Sequence, residues 1–296
     1  SSKAYKKKGN VAIDDLFPES NEAVEDLFSD EPAATQPAAS TSSATQATTT
    51  TKPRKKLSTE ERGKRLQKLI DFVKPRLGRE PTVKLPQIRN SAWVQLIGLA
   101  NTKEELAEVV ELFPGWRDIG REFNSQFSEL FVRRCEELSC PLLALDVFGD
   151  YAKYNLKLTL PGGRQLLHSL HDSYPIDKVI TASALYSIYS LTPIAQDLVS
   201  CSMIVSACFK HNSKDSLQVA HALVPHLQRL LKQTKPTSAN NKKEATKEKP
   251  VDKSQAWLQW TLKKIDRALF VQNHARAEWL RDWRMRNGQL LEPTRF

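Results

Sequence analysis

Apolar residues recur at helical spacing in short blocks between Pro86 and Lys232, and the blocks themselves recur. Starts of second helices are predicted at Asn101-Thr102, Pro141, Ile176-Asp177 and Ser213-Lys214, spaced 39, 36 and 37 residues apart. Starts of first helices are predicted near Pro86, Asn124, Pro161 and Ile194, spaced 38, 37 and 33 residues apart. Such a period is that of stacked helical hairpins, each too small to bury its own apolar face. The expected fold is all-α. It is an α-solenoid of about four hairpins over residues 86–232, with an extended or disordered N-terminal tail and a long C-terminal helix.

Within the blocks, Ile88, Trp93, Leu96, Ile97 and Leu99 mark a first helix. Thr102-Lys103-Glu104-Glu105 is a capping box opening a second, with Leu106, Val109, Val110, Leu112 and Phe113, which Pro114-Gly115 is expected to break. Phe123, Phe127, Leu130 and Phe131 mark the next first helix. Cys140-Pro141 starts its partner, with Leu142, Leu145, Phe148 and Tyr151 expected on the inner face. Pro161-Gly162-Gly163 is expected to turn into Leu166, Leu167 and Leu170. Tyr174-Pro175 leads to Val179, Ile180, Ala184 and Tyr186 to Tyr189. Thr192-Pro193 is expected to open a helix reaching Phe209, and Ser213 to cap the last, with Leu217, Val219, Ala220, Leu223, Leu227, Leu230 and Leu231. Leu156 to Leu160 is the one candidate strand and reads better as a linker.

The flanks differ in kind. Residues 1–56 read as a tail, whose Ala33 to Thr51 stretch is too polar and small to order itself. Two acidic-apolar segments in it lie 11 residues apart. They would present Leu16, Phe17, Leu27 and Phe28 on one side if helical on a partner; the alternative is a coincidence of composition. Residues 57–85 hold a basic helix and linker, with Ser58-Thr59-Glu60-Glu61 as capping box, a stripe of Leu66, Leu69, Ile70 and Val73, and Pro75 as terminator. Residues 233–253 form a Lys-rich linker. Residues 254–296 read as one helix of about 36 residues, roughly 54 Å long, and a short tail. It carries Trp257, Trp260, Trp279 and Trp283 and is expected to reach a partner or lie along the repeats.

Charge sharpens this picture. Residues 1–52 hold five Lys and eight acidic residues, a net of −3, so the rest of the 296-residue chain carries 39 basic and 26 acidic residues, a net of +13. A body this basic suits a polyanionic partner, the alternative being general solubility. The four cysteines are too few and scattered for a disulfide framework and suit a reducing compartment. No apolar run approaches the roughly 18 residues of a membrane span. The chain opens on Ser1 without an initiator Met, which suggests an expressed piece or a processed form from which any targeting peptide has gone.

The block Asn101-Thr102-Lys103-Glu104-Glu105-Leu106-Ala107-Glu108-Val109-Val110-Glu111-Leu112-Phe113 resembles the second helix of a pentatricopeptide repeat. Asn212 to Ala220 is similar, and Leu142 to Tyr154 and Asp177 to Leu191 fit more loosely. The resemblance covers about half the chain; the 156–160 linker and uneven repeat lengths depart from the family, so no base-reading positions are carried over. With its basic helix, tail and Trp/Arg-rich end, the chain is similar overall to mitochondrial small-subunit ribosomal proteins, particularly the fungal helical-repeat member. That resemblance implies a structural component of the mitochondrial small ribosomal subunit, in the matrix. It would bind rRNA (or mRNA) and other ribosomal proteins, with no membrane and no small-molecule substrate. The alternatives are a free RNA-binding factor in mitochondrial mRNA maturation or translation, and a protein-only scaffold.

Catalytic chemistry is not expected, nor a cofactor. Gly162-Gly163 lacks the Lys-Ser/Thr of a phosphate loop, and His168 and His171 lack matching metal ligands and read as an ordinary helix surface. The candidate RNA contacts are Arg54, Lys55, Lys56, Arg62, Lys64 and Arg65; Lys242 and Lys243; and Lys263, Lys264, Arg267, Arg281, Arg284 and Arg286. Trp257 and Trp260 could stack on bases, but Trp257, Trp260, Trp279 and Trp283 are placed first as protein-interface anchors, with Leu16, Phe17, Leu27 and Phe28.

Overall fold

The computed structural model describes residues 58–234 and 253–290, and every regular element among them is helical. The tail and the Lys-rich linker, with Leu16, Phe17, Leu27, Phe28, Arg54, Lys55, Lys56, Lys242 and Lys243, lie outside the described residues. The chain divides after Ile119 into two compact units, so the division falls inside the stretch read as one repeat domain.

The first unit is built from α1 (Thr59–Val73), α2 (Asn90–Leu99), α3 (Lys103–Val110) and α4 (Phe113–Asp118). The capping box of α1 forms as expected: the Ser58 hydroxyl accepts from the Glu61 N–H at 3.2 Å, and the Glu61 carboxylate accepts from the Ser58 N–H at 3.1 Å. Leu66, Leu69, Ile70 and Val73 are all buried, and the helix gives way at Pro75 to a 3-10 turn. At α3 the box is modified. Thr102 caps Glu105, but the Glu105 carboxylate reaches one residue further back, to the Asn101 N–H at 2.6 Å.

Two expectations fail in this unit. The first helix opens at Asn90, four residues beyond Pro86. Pro114-Gly115 does not simply break the chain: Pro114 occupies the first turn of α4, where its missing N–H costs nothing. A Cβ on Gly115 would meet the Leu77 Cβ at 2.8 Å, so glycine lets that loop close in. α4 thereby delivers Phe113 and Trp116 to Trp93, edge-to-face at 5.7 and 5.4 Å between centroids. These rings are the unit's core, each pair contributing about 1 kcal/mol beyond area burial.

The second unit contains α5 (Ser125–Glu137), α6 (Pro141–Gly149), the single turn α7 (Tyr151–Tyr154), α8 (Leu160–His171), α9 (Ile176–Ile188), α10 (Leu198–His211), α11 (Lys214–Gln233), α12 (Lys253–Asn273) and α13 (Glu278–Arg286). α5 pairs with α6, α8 with α9, and α10 with α11. α8 packs between α5 and α10, while α9 touches α6 and α10. The central element is α10, buried continuously from Val199 to Phe209.

Local chemistry explains the starts. Asn124, Thr159 and Ser213 each cap a helix with a side-chain oxygen on an N–H three residues on. Thr192-Pro193, expected to open α10, instead leads into a 3-10 turn over Ile194–Gln196, and Asp197 is the cap. Asp197 accepts from the Ser200 N–H at 3.0 Å and its hydroxyl at 2.6 Å, and from Arg164 Nε of α8 at 3.0 Å. The Ser200 hydroxyl in turn meets the Tyr186 hydroxyl of α9 at 2.8 Å.

Inner faces are partly re-dealt. Leu142 and Tyr151 stand 37% and 38% exposed, so Ala144, Leu145, Val147 and Phe148 make the buried face of α6. On α9, Ile180 and Ala184 face outward, and Val179, Ala182, Leu185 and Tyr186 face in. Of the linker expected over 156–160, residues 156–159 are irregular but Leu160 already opens α8, and Leu156 and Leu158 are buried. Gly162 and Gly163 are not a turn. They lie in the first turn of α8, where a Cβ on Gly163 would sit 3.0 to 3.1 Å from the Tyr186 ring and hydroxyl.

The single long C-terminal helix is also corrected. α12 ends at Asn273, His274 takes a left-handed φ of 51°, and α13 resumes at Glu278. With neither proline nor glycine at the break, composition gave no sign of it; Asn and His tolerate that conformation better than most residues. Rather than projecting, α12 folds back on α10, burying Leu258, Leu262, Ile265 and Leu269, with Thr261 meeting the Ser202 hydroxyl at 2.9 Å.

Gly163→Val forces its side chain into Tyr186. We expect a loss of about 2 kcal/mol, the usual scale of overpacking, read as a lower urea midpoint with an unchanged slope.

Candidate nucleic-acid interface

The sequence-derived cations separate into those holding the fold together and those facing outward. In the first unit, Arg62 donates to the Gly98 carbonyl at 2.6 Å and ties α1 to α2. Lys64 pairs with Glu60 one turn back, and Arg65 is exposed.

α12 settles the remaining assignments by its periodicity. At roughly 100° per residue, Leu258, Thr261, Leu262, Ile265 and Leu269 fall on one side and are buried. Trp260, Lys263, Arg267, Phe270 and Val271 fall on the opposite arc and are exposed. Trp260, Phe270 and Val271 are 39%, 47% and 63% exposed, which is uncommon for such large apolar side chains. Among the described residues, no carboxylate pairs with Lys263 or Arg267. Phe270 and Val271 did not stand out in the sequence. Their spacing from Trp260, Lys263 and Arg267 is the signal that marks them.

Lys264 has a different role. Its ammonium donates to Asp172 at the end of α8 at 2.5 Å and lies over the Trp260 ring, 3.5 Å from the centroid. Lys210 of α10 also pairs with Asp172, at 3.3 Å. The Lys264 bond, aided by Lys210, outweighs burial and holds the Asp172 carboxyl below the usual carboxylate range. This clamp docks α12 onto the ends of α8 and α10.

His168 and His171 belong to the same contact, not to a solvated surface. The His168 ring stacks on Trp257 at 4.5 Å, and its Nδ1 meets Glu136 of α5 at 2.8 Å. Burial pushes the Glu136 carboxyl up, but the bonds from His168 and Gln165 prevail and hold it below the usual range. His171, only 3% exposed, lies edge-on to Trp260 at 5.2 Å. Its Nδ1 donates to the His168 carbonyl at 2.8 Å, which fixes the neutral tautomer. Desolvation brings its pKa down to about 4.

α13 is turned largely inward. Trp283 is 5% and Arg284 6% exposed, with Arg284 paired to Asp266 of α12. Trp279 and Arg281 are half-buried, and Arg286 is exposed. An open depression of about 200 Å³ lies where α11 and α13 end, between Lys232, Thr234, Trp283 and Arg286. Burial pushes the Cys201 thiol up to about 12 and the Cys208 thiol up to about 11, so neither forms a ready thiolate. Among the described residues, no group of three His, Cys, Asp or Glu is placed to hold a metal. Nor is any helix among them long and apolar enough to cross a membrane.

Comparison of the chain with protein-family models, curated proteins and solved structures gives no match.

Two measurements check this partition. Lys264→Ala should lower stability by about 1 kcal/mol, allowing for solvent screening of a half-exposed pair, whereas Lys263→Ala should change it by less than about 0.5 kcal/mol. The second concerns His171. The unfolded imidazole takes up its proton near pH 6.5 and the folded one only near 4. Its contribution is therefore complete above pH 6.5 and shrinks as pH falls towards 4, by on the order of 3 kcal/mol. Urea titrations across that range should show the loss, and His171→Leu should flatten it.

Proposed function

We propose that this chain is a structural component of the mitochondrial small ribosomal subunit, an α-solenoid that binds rRNA and neighbouring proteins. The carrying observation is the outward arc of α12, where Lys263 and Arg267 stand exposed without an acidic partner among the described residues, beside the part-exposed rings of Trp260 and Phe270. Cations left unneutralised on a folded surface suit phosphate contact, because binding then releases condensed counterions.

The pairwise packing from α5 to α11 supports a solenoid reading. First helices follow first helices, and α9 bridges α6 and α10, so each hairpin completes its core with the next. α12 lies over α10, the first helix of the last hairpin, in the manner of a terminal cap. The ribosomal and mitochondrial assignment rests on the resemblance to pentatricopeptide-type small-subunit proteins and on the net charge of the body. Within this reading the chain acts by binding, without catalysis.

The test is sedimentation of mitochondrial extracts through sucrose gradients at high salt. The chain should co-migrate with the small subunit. Release into the soluble fraction would favour the free RNA-binding factor, and co-migration without any RNA crosslink would favour a protein-only scaffold.

A further inference from the structure

We infer that the outward arc of α12 is a strip for single-stranded RNA, with Trp260 and Phe270 as stacking platforms and Lys263 and Arg267 as phosphate contacts. The inference rests on the reading of RNA as partner and specifies where, and in which form, it is held.

The composition of the arc selects the ligand. Going up α12 from Trp260, the outward positions run ring, cation, cation, ring and then Val271, and the two rings lie about 15 Å apart along the axis. No carboxylate stands on that arc. Asp266 and Asp172, beside it, are each paired from within: Asp266 by Arg284, and Asp172 by Lys264 and Lys210. The strip is therefore uniformly positive, complementary to a polyanion.

The rings argue for unpaired bases. In a duplex the base faces are already stacked on one another, leaving phosphates and groove edges for a protein to touch. Exposed indole and phenyl rings gain nothing from such a surface. Single strands offer free base faces, and stacking on an aromatic side chain tolerates any base. An apolar protein partner would fit a continuous greasy stripe better than rings separated by Lys263 and Arg267.

The structure also chooses between tryptophans that look equivalent in sequence. Trp257 is engaged by the His168 ring at 4.5 Å, and Trp283 is buried. Trp260 is held edge-on to His171 and under the Lys264 ammonium, yet stays 39% exposed. A ring fixed in place but still accessible loses little freedom when a base stacks on it.

The experiment uses the full chain and a fluorescein-labelled 12-mer of uridylate, with a 12-base-pair RNA duplex as comparison, read by anisotropy over a salt series. Trp260→Ala and Phe270→Ala should each weaken single-strand binding about tenfold, while Trp260→Phe should restore it to within about threefold. The double variant Lys263→Glu, Arg267→Glu should weaken binding and lower the salt slope by about 1.4, the share of two phosphate contacts on a single strand. Melting followed by circular dichroism checks folding; should Trp260→Ala not fold, Phe270→Ala and the charge variant carry the test.

The strip is overturned if folded ring variants bind the 12-mer like the parent chain, or if the duplex binds as tightly and with equal sensitivity to Trp260. Co-migration with the small subunit alongside unaltered oligonucleotide binding would sink the strip and spare the ribosomal reading. Binding that depends on Trp260 without co-migration would do the reverse.

Discussion

Asp197 is the group on which the second unit most depends. A carboxylate only 5% exposed would be driven towards its neutral form by desolvation. Arg164 and the hydroxyl and N–H of Ser200 prevail over that tendency and keep it charged below its ordinary pKa. The same oxygens cap α10, fasten α8 to it and, through Ser200 and Tyr186, bring in α9. Removing one member of such a cluster leaves an uncompensated buried charge, which costs about 3 to 5 kcal/mol. Gly163 is part of the same constraint, since the ring delivering the Tyr186 hydroxyl lies where any larger residue on α8 would stand. The relative positions of three helices thus follow from one buried anion.

Around that centre the positive charge is divided by task. Arg62, Arg164, Lys264 and Arg284 bond to carbonyls or carboxylates of the fold, and such charge-assisted bonds are shorter and stronger than neutral ones. What separates Lys263 and Arg267 from Lys264 in role is their angle around α12. A net charge counts all of these alike, but only the outward ones are available to a phosphate backbone. The proposed binding face is therefore narrower than composition suggests, and it is aromatic as well as basic.

The helical class was legible because it rests on local rules: caps at Ser58, Thr102, Asn124 and Ser213 satisfy orphan N–H groups within three residues, and the stripe of α1 repeats each turn. Misreadings arose where a distant partner decides. Gly162-Gly163 looks like turn chemistry unless Tyr186 is known to press on it. Pro193 looks like a helix start unless Asp197 is known to have Arg164 waiting. The break at His274 carries neither proline nor glycine. At the candidate interface, residue types could be named from sequence, but which tryptophan remains accessible depends on His168 and the burial of α13. Spacing puts Phe270 and Val271 on one arc with Trp260, Lys263 and Arg267, but that this arc faces outward follows only from α12 lying on α10.

The passage between α7 and α8 has a further implication. Leu156 and Leu158 are sunk into the core, and the Tyr189 hydroxyl, in reach of the Phe148 carbonyl at 2.7 Å and the Leu156 carbonyl at 3.3 Å, straps this passage down. Surface connections ordinarily tolerate added residues because their backbone faces water. This one has no slack: lengthening it by a single residue would push a leucine out of its socket and leave the tyrosine without its anchor. Indels that alter the spacing between helices should accumulate elsewhere along the chain, making the 155–159 segment a fixed ruler between α7 and α8.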